Sequence, residues 1–245
     1  MIVLALDTTS EKGGVGIYAG ERCLALEANT RPANLYSTTL FELVERALGE
    51  ARLSLREIEL LAVANGPGSF TGIRVGVAAA QGWATAFGRP LGGVSVLQAL
   101  VEEARPEADW ALPILDAHRG EFFLGLFRRS STPSSIPIAP GAHRDALEQV
   151  GEGWVLKPEA LAALLREKVP EGASAVCLVR EHDATVPGLR ERLPVPYAWQ
   201  AVPGLLVGAI ARLAQHAHDL GKIQSPGELD ACYIRRPDAE LNWRD

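Results

Sequence analysis

Leu60-Leu61-Ala62-Val63-Ala64-Asn65-Gly66-Pro67-Gly68-Ser69-Phe70-Thr71-Gly72-Ile73-Arg74-Val75-Gly76 joins an apolar run to a glycine-rich turn and a helix of small residues. The run 60–64 reads as a buried strand. Gly-Pro-Gly turns sharply, because glycine tolerates backbone angles that other residues avoid. Ser69 or Thr71 can cap the helix that follows. That helix is expected over 72–87, stopped by Gly88-Arg89-Pro90. A strand delivered into a helix through a tight turn is a building block of an α/β fold.

Upstream, residues 2–6 form a short apolar strand stopped by Asp7-Thr8-Thr9-Ser10, and two strands at 14–18 and 22–28 complete a meander. Leu35, Leu40, Leu43, Val44, Ala47 and Leu48 follow helical spacing, which predicts a helix over 35–51. Downstream, a strand is expected at 94–96 and a short helix at 97–104. The pattern then begins again: a strand at 111–115 is stopped by Asp116-Ala117-His118, and the next strand spans 121–127. Ala5-Leu6-Asp7-Thr8 and Ile114-Leu115-Asp116-Ala117 stand nearly half the chain apart. This suggests an internal duplication, although Asp also commonly starts turns. Residues 130–140, rich in Ser and Pro, read as an exposed loop. A helix follows at 158–168, a strand at 174–179, an irregular proline-bearing stretch at 180–200, a long helix at 203–220 and a polar tail from 225. The expected architecture is α/β with two similar lobes, 1–105 and 106–245. The final helix, 203–220, is free to pack back on the first lobe.

The chain has 245 residues, 47% apolar and 22% charged, with a net charge of −6. That balance suits a globular protein and argues against one that grips nucleic acid alone, since phosphate binding needs a basic face. Cys23, Cys177 and Cys232 form no C-x-x-C pair, so a reducing cytoplasm fits better than a disulfide framework. No apolar run approaches the roughly 18–20 residues that span a bilayer, and no membrane role is expected.

The glycine loop lacks the spacing and the Lys of a phosphate-binding Walker loop and the register of a nucleophile elbow. Gly72, Gly76, Ala79, Ala80, Gly82 and Ala86 leave the helix with little bulk. Each interior Gly costs about 0.5–1 kcal/mol relative to Ala, which asks for a compensation. Three readings stay open: close packing on the chain's own sheet, a protein–protein seam, or an anion at the helix N-terminus helped by Arg74. Asp7-Thr8-Thr9 is the strand-end pattern by which actin-like folds approach phosphate and Mg²⁺. Asp116 would be its counterpart in a duplicated half, and the alternative is that Asp7 simply caps a turn. His118, His143, His182, His216 and His218 have no metal-ligand spacing, so no metal site and no catalytic residue is expected.

Four segments resemble the TsaB (YeaZ) family: residues 1–18, the Gly-Pro-Gly-Ser-Phe-Thr-Gly signature at 66–76, the strand turn Asp116-Ala117-His118-Arg119-Gly120-Glu121, and Ala231-Cys232-Tyr233-Ile234-Arg235. The resemblance implies an actin-like ATPase (ASKHA) fold with two RNase H-like lobes. It implies a cytoplasmic, non-catalytic subunit that pairs with the paralogue TsaD. With the TsaE ATPase, and with tRNA reached only through the complex, the assembly forms N6-threonylcarbamoyladenosine beside the anticodon. ATP and Mg²⁺ belong to the complex, and this chain holds no cofactor of its own. The pairing surface implied is that of the first two helices, here Leu35, Tyr36, Leu40, Leu43, Gly72, Arg74, Val75, Gly76, Ala79, Ala80 and Trp83, and a homodimer can use the same surface. Gly76→Leu should then weaken pairing and spare the fold. A nucleotide site at Asp7, Thr8, Thr9 and Asp116 belongs to the alternative, an ATPase or phosphotransferase acting alone. Two departures stand out: Tyr36 replaces the family's His before the first helix, and Asp230-Ala231-Cys232 replaces the Pro-containing lead into Tyr233.

Overall fold

The computed structural model describes residues 1–32, 35–129, 147–181, 190–191, 196–223 and 225–232. The expected loop at 130–140, most of the irregular stretch 180–200, His143, His182 and the tail beyond 232 lie outside the described residues, wholly or in part. The chain divides into two units, Met1–Glu103 with Gly204–Cys232, and Ala104–Pro203 with Tyr233–Asp245. The last helix and the segment after it group with the first unit, the return that the sequence left open for that helix, so the lobe expected over 106–245 is smaller by them.

In the first unit, β1 (Ile2–Asp7), β2 (Gly14–Ala19), β3 (Arg22–Ala28), β4 (Leu60–Gly66) and β5 (Leu91–Ser95) form one sheet in the order β3-β2-β1-β4-β5. The meander pairs are antiparallel, whereas β4 runs parallel to both β1 and β5. Side chains alternate across a strand. Leu4, Leu6, Val15, Ile17, Leu61 and Val63 join one core with α1 (Tyr36–Ala51) and α2 (Phe70–Phe87). Val3 and Ala5, fully buried, are left for the helix at the chain's far end, which packs on β1, β4 and β5. Gly92 is small for the same reason: a Cβ there would sit 2.8 Å from that of Ala214. α3 (Val96–Ala104) follows β5 directly.

The second unit repeats the plan. β6 (Trp110–Asp116), β7 (Phe122–Leu124), β8 (Phe127–Arg129), β9 (Leu147–Gln149), β10 (Trp154–Leu156), β11 (Ala175–Arg180) and β12 (Ala198–Val202) give the path β10-β7-β6-β11-β12, with α4 (Pro158–Lys168) between β10 and β11. β6–β7 and β7–β10 are antiparallel, β6–β11 and β11–β12 parallel. Position for position, this is the first sheet's pattern. The expected single strand at 121–127 is divided into β7 and β8. Gly125 donates to the carbonyl of Pro113 at 3.1 Å, but Pro113 has no N–H to return the bond, so the ladder breaks there and resumes in the same register. α5 (Val207–Asp219) begins four residues after the expected start, because Pro203–Leu206 leads into it without helical pairing.

Candidate functional site

The end of β1 and the start of α2 close on one another. Thr8 Oγ1 donates to the Gly72 carbonyl at 2.7 Å, and Thr9 donates through its N–H (2.9 Å) and its Oγ1 (2.6 Å) to Asp7 Oδ1. The Ser69 N–H donates to the Thr9 carbonyl at 2.8 Å. Asp7 and Thr8 are 0% exposed and Thr9 is 3% exposed. A Cβ at Gly72 would collide with the Thr8 carbonyl oxygen, and one at Gly76 with Thr8 Oγ1. The small residues of α2 therefore let the β1 loop lie against the helix backbone. Of the three readings left open by the sequence, packing on the chain's own sheet accounts for Gly72 and Gly76.

The helix N-terminus is also engaged from within. Ser69 Oγ accepts from the Gly72 N–H at 3.3 Å, completing a cap, and the Arg74 guanidinium lies over the Phe70 ring, 3.9 Å from its centroid. Tyr36, which stands where the family has His, is almost wholly buried, and its hydroxyl donates to the Ser10 carbonyl at 3.1 Å. It thus pins the same loop from the side of α1.

These facts redraw the expected pairing surface. Tyr36, Leu40, Leu43, Gly72, Gly76 and Ala80 are buried within the first unit and cannot meet a partner. Leu35 and Arg74 are exposed, and Val75, Ala79 and Trp83 half-buried. Phe41 and Phe70, not among the expected residues, are also exposed on these helices, at 56% and 41%. Phe41 makes an edge-on contact with Trp83, ring centroids 5.6 Å apart. Along α2, Phe70, Arg74, Ala78 and Gly82 form an exposed stripe at four-residue spacing. The available signal was a Phe in an otherwise polar helical position.

In the second unit Asp116 ends β6 and accepts from the His118 N–H at 2.8 Å, with His118 Nδ1 3.3 Å from its other oxygen. This is a strand-end turn, and His118 and Arg119 adopt positive φ within it. On α5, burial lowers the pKa of His216, while Arg212 forks onto Glu102 (2.7 Å) and Glu103 (3.0 Å). Among the described residues no cluster of three or more His, Cys, Asp or Glu is disposed to hold a metal ion.

Comparison with known proteins follows the same lines. Residues 31–160, more than half of the chain, match the family model "TsaD: tRNA N6-adenosine threonylcarbamoyltransferase". The tRNA threonylcarbamoyladenosine biosynthesis protein TsaB of Escherichia coli is 25% identical over 210 residues, 80% of this chain and 85% of that one. The TsaB of Bacillus subtilis is 30% identical over 128 residues, about half of each chain (52% and 56%). The solved structure of YeaZ from Pseudomonas aeruginosa superimposes with a TM-score of 0.74 at 27% identity, covering 95% of this chain and all of that one. The fold is the actin-like ATPase (ASKHA) type with two RNase H-like lobes. The chain belongs to the family whose threonylcarbamoyltransferase model it matches, and within it to the TsaB (YeaZ) group.

Proposed function

We propose that this chain is a non-catalytic subunit of the assembly that forms N6-threonylcarbamoyladenosine at the adenosine beside the tRNA anticodon, and that it acts by pairing with TsaD. The observation that carries the reading is the closed loop at the end of β1. A lone actin-like ATPase needs the strand-end carboxylate and hydroxyls open to phosphate and Mg²⁺. Here Asp7, Thr8 and Thr9 are buried, bonded among themselves and to α2. Opening the loop would separate Thr8 from Gly72 and break the packing at the head of α2.

The surface left for pairing is the outer face of α1 and α2, with Phe41, Trp83, Phe70 and Arg74 at its prominent points. Aromatic and Arg side chains are the usual anchors of protein–protein contacts. In this reading the TsaE ATPase joins the pair, tRNA is met through the complex, and ATP and Mg²⁺ are used by the other subunits in the cytoplasm. A second copy of the chain competes for the same face.

The test has two arms. Calorimetry of the purified chain with Mg-ATP should give no heat of binding. A tagged chain should capture TsaD, and TsaE in a nucleotide-dependent way. Tight Mg-ATP binding by the lone chain, lost in Asp116→Ala, would establish the phosphotransferase alternative. Failure to capture TsaD would refute the pairing.

A further inference from the structure

The segment that follows α5 is bonded to the turn and helix that carry the proposed pairing face, over residues far apart in sequence. Gln81, on α2, donates from Nε2 to the carbonyls of Pro226 (2.9 Å) and Leu229 (2.8 Å). A primary amide has two N–H donors, and both are used. Asn65, at the end of β4, bonds the same segment twice. Its carbonyl accepts from the Cys232 N–H at 2.7 Å, and its Nδ2 donates to the Asp230 carbonyl at 3.3 Å.

The glycines fit around this segment. A Cβ on Gly66 would stand 2.7 Å from the Cys232 carbonyl oxygen, and Gly66 also has φ of 122°, which only glycine adopts readily. A Cβ on Gly93 would collide with Leu229, whose side chain is buried in the first unit's core. A one-turn 3-10 helix, Pro226–Glu228, shapes the segment, closed by a reciprocal Ser225–Glu228 capping box.

The signature turn is thus held from two sides. Gly68 lies against Thr9 of the β1 loop, where a Cβ would sit 2.5 Å from the Thr9 carbonyl oxygen, and Gly66 lies against Cys232. We infer that residues 225–232 form a strap that sets the position of α2 and of the signature turn, with Gln81 as its positioning residue. Gln81 touches no partner in this account. It acts through α2, and its consequence for pairing rests on the reading proposed above.

The test uses the full chain. Gln81→Glu places a carboxylate against two carbonyl oxygens, and Gln81→Leu removes both bonds at similar volume; the second variant answers the question should the first unfold. Hydrogen exchange measured by mass spectrometry should show residues 225–232 and the turn and first helical turn, 65–73, exchanging about tenfold faster, because two half-buried bonds are lost. Peptides from β2, β3 and the second unit should keep wild-type rates. Capture of TsaD should fall several-fold with Phe41 and Phe70 unchanged. Faster exchange confined to 225–232, or no change at all, would overturn the strap's positioning role. If the wild-type chain fails to capture TsaD, the pairing reading falls, while the exchange arm still decides the strap.

Discussion

Gly72 and Gly82 share one helix and differ in what stands opposite them. Beside Gly72 lies the Thr8 carbonyl, whereas nothing stands within 4 Å of a Cβ on Gly82. Gly72→Ala should therefore destabilise the chain by about 1–3 kcal/mol, as an overpacked core does. Gly82→Ala should stabilise it by about 0.5–1 kcal/mol, since Ala is the better helix former and has open space. Urea unfolding of both variants measures the contrast, and equal effects would refute the assignment. The same geometry revises the expectation for Gly76→Leu: a side chain driven into Thr8 disrupts the β1 loop first, so any loss of pairing would be secondary to loss of fold. Cysteine chemistry offers a second check at this scale. Cys177, buried in β11, has its thiol pushed up to about 12 by burial, whereas Cys23 and Cys232 are exposed. In native protein at pH 8, iodoacetamide should label Cys23 and Cys232 and spare Cys177, as read by mass spectrometry. The raised pKa also fixes a sign. The unfolded thiol ionises first, near its ordinary value of 9.0, so this contribution to stability is intact below that pH and is lost as pH rises toward 12.

Among the elements, α1 and α2 were legible as helices from their period, and β1 to β4 from short apolar runs closed by Asp, Gly or Asn. Other strands were read short or missed, two of them for opposite reasons. Gly92-Gly93 makes the start of β5 look like a turn, because those residues are small to admit Ala214 and Leu229 from elements far along the chain. β12 was lost beside Pro194 and Pro196, although Trp199-Gln200-Ala201-Val202 pairs in register with β11. Part of the pairing surface expected from the sequence lies buried for a similar reason. A glycine's purpose lies in what it packs against, and Thr8 stands 64 positions before Gly72. Buried Tyr36, Leu40 and Leu43 follow the same helical stripe that points them inward, so the outward face begins at Phe41. Phe41→Ala with Phe70→Ala should cut TsaD capture at least tenfold, the scale of an interface anchor. Because neither ring lies in the buried core, the melting temperature should stay near wild type. A variant pair that captures TsaD as well as the parent would move the interface off these helices.

At the scale of the whole molecule, the five strands of the first sheet and five of the seven in the second share one order and one set of strand directions, which the paired Asp7 and Asp116 segments had suggested. The sequence left it open that the final helix, 203–220, packs back on the first lobe, since no local pattern marks where a later helix returns. The structure places that return at Gly204–Cys232. The apolar face of β1 and β4 bearing Val3, Ala5, Leu60 and Ala62 thus depends on α5 for cover. A fragment of residues 1–103 should be aggregation-prone, and co-expression with 204–232 should raise its soluble yield. Soluble, cooperatively unfolding 1–103 alone would contradict this.

Translation gives that discontinuity a cost in time. The first half of the chain emerges from the ribosome with β1, β4 and β5 already made, yet the helix that covers their second face is encoded some hundred codons later. At roughly 5–20 residues per second, the nascent first unit waits on the order of ten seconds with an apolar surface uncovered. Most of the second unit, Ala104–Pro203, is encoded in between. The first-made half therefore closes only once α5 and the strap on Gln81 have been made, after the bulk of the second unit.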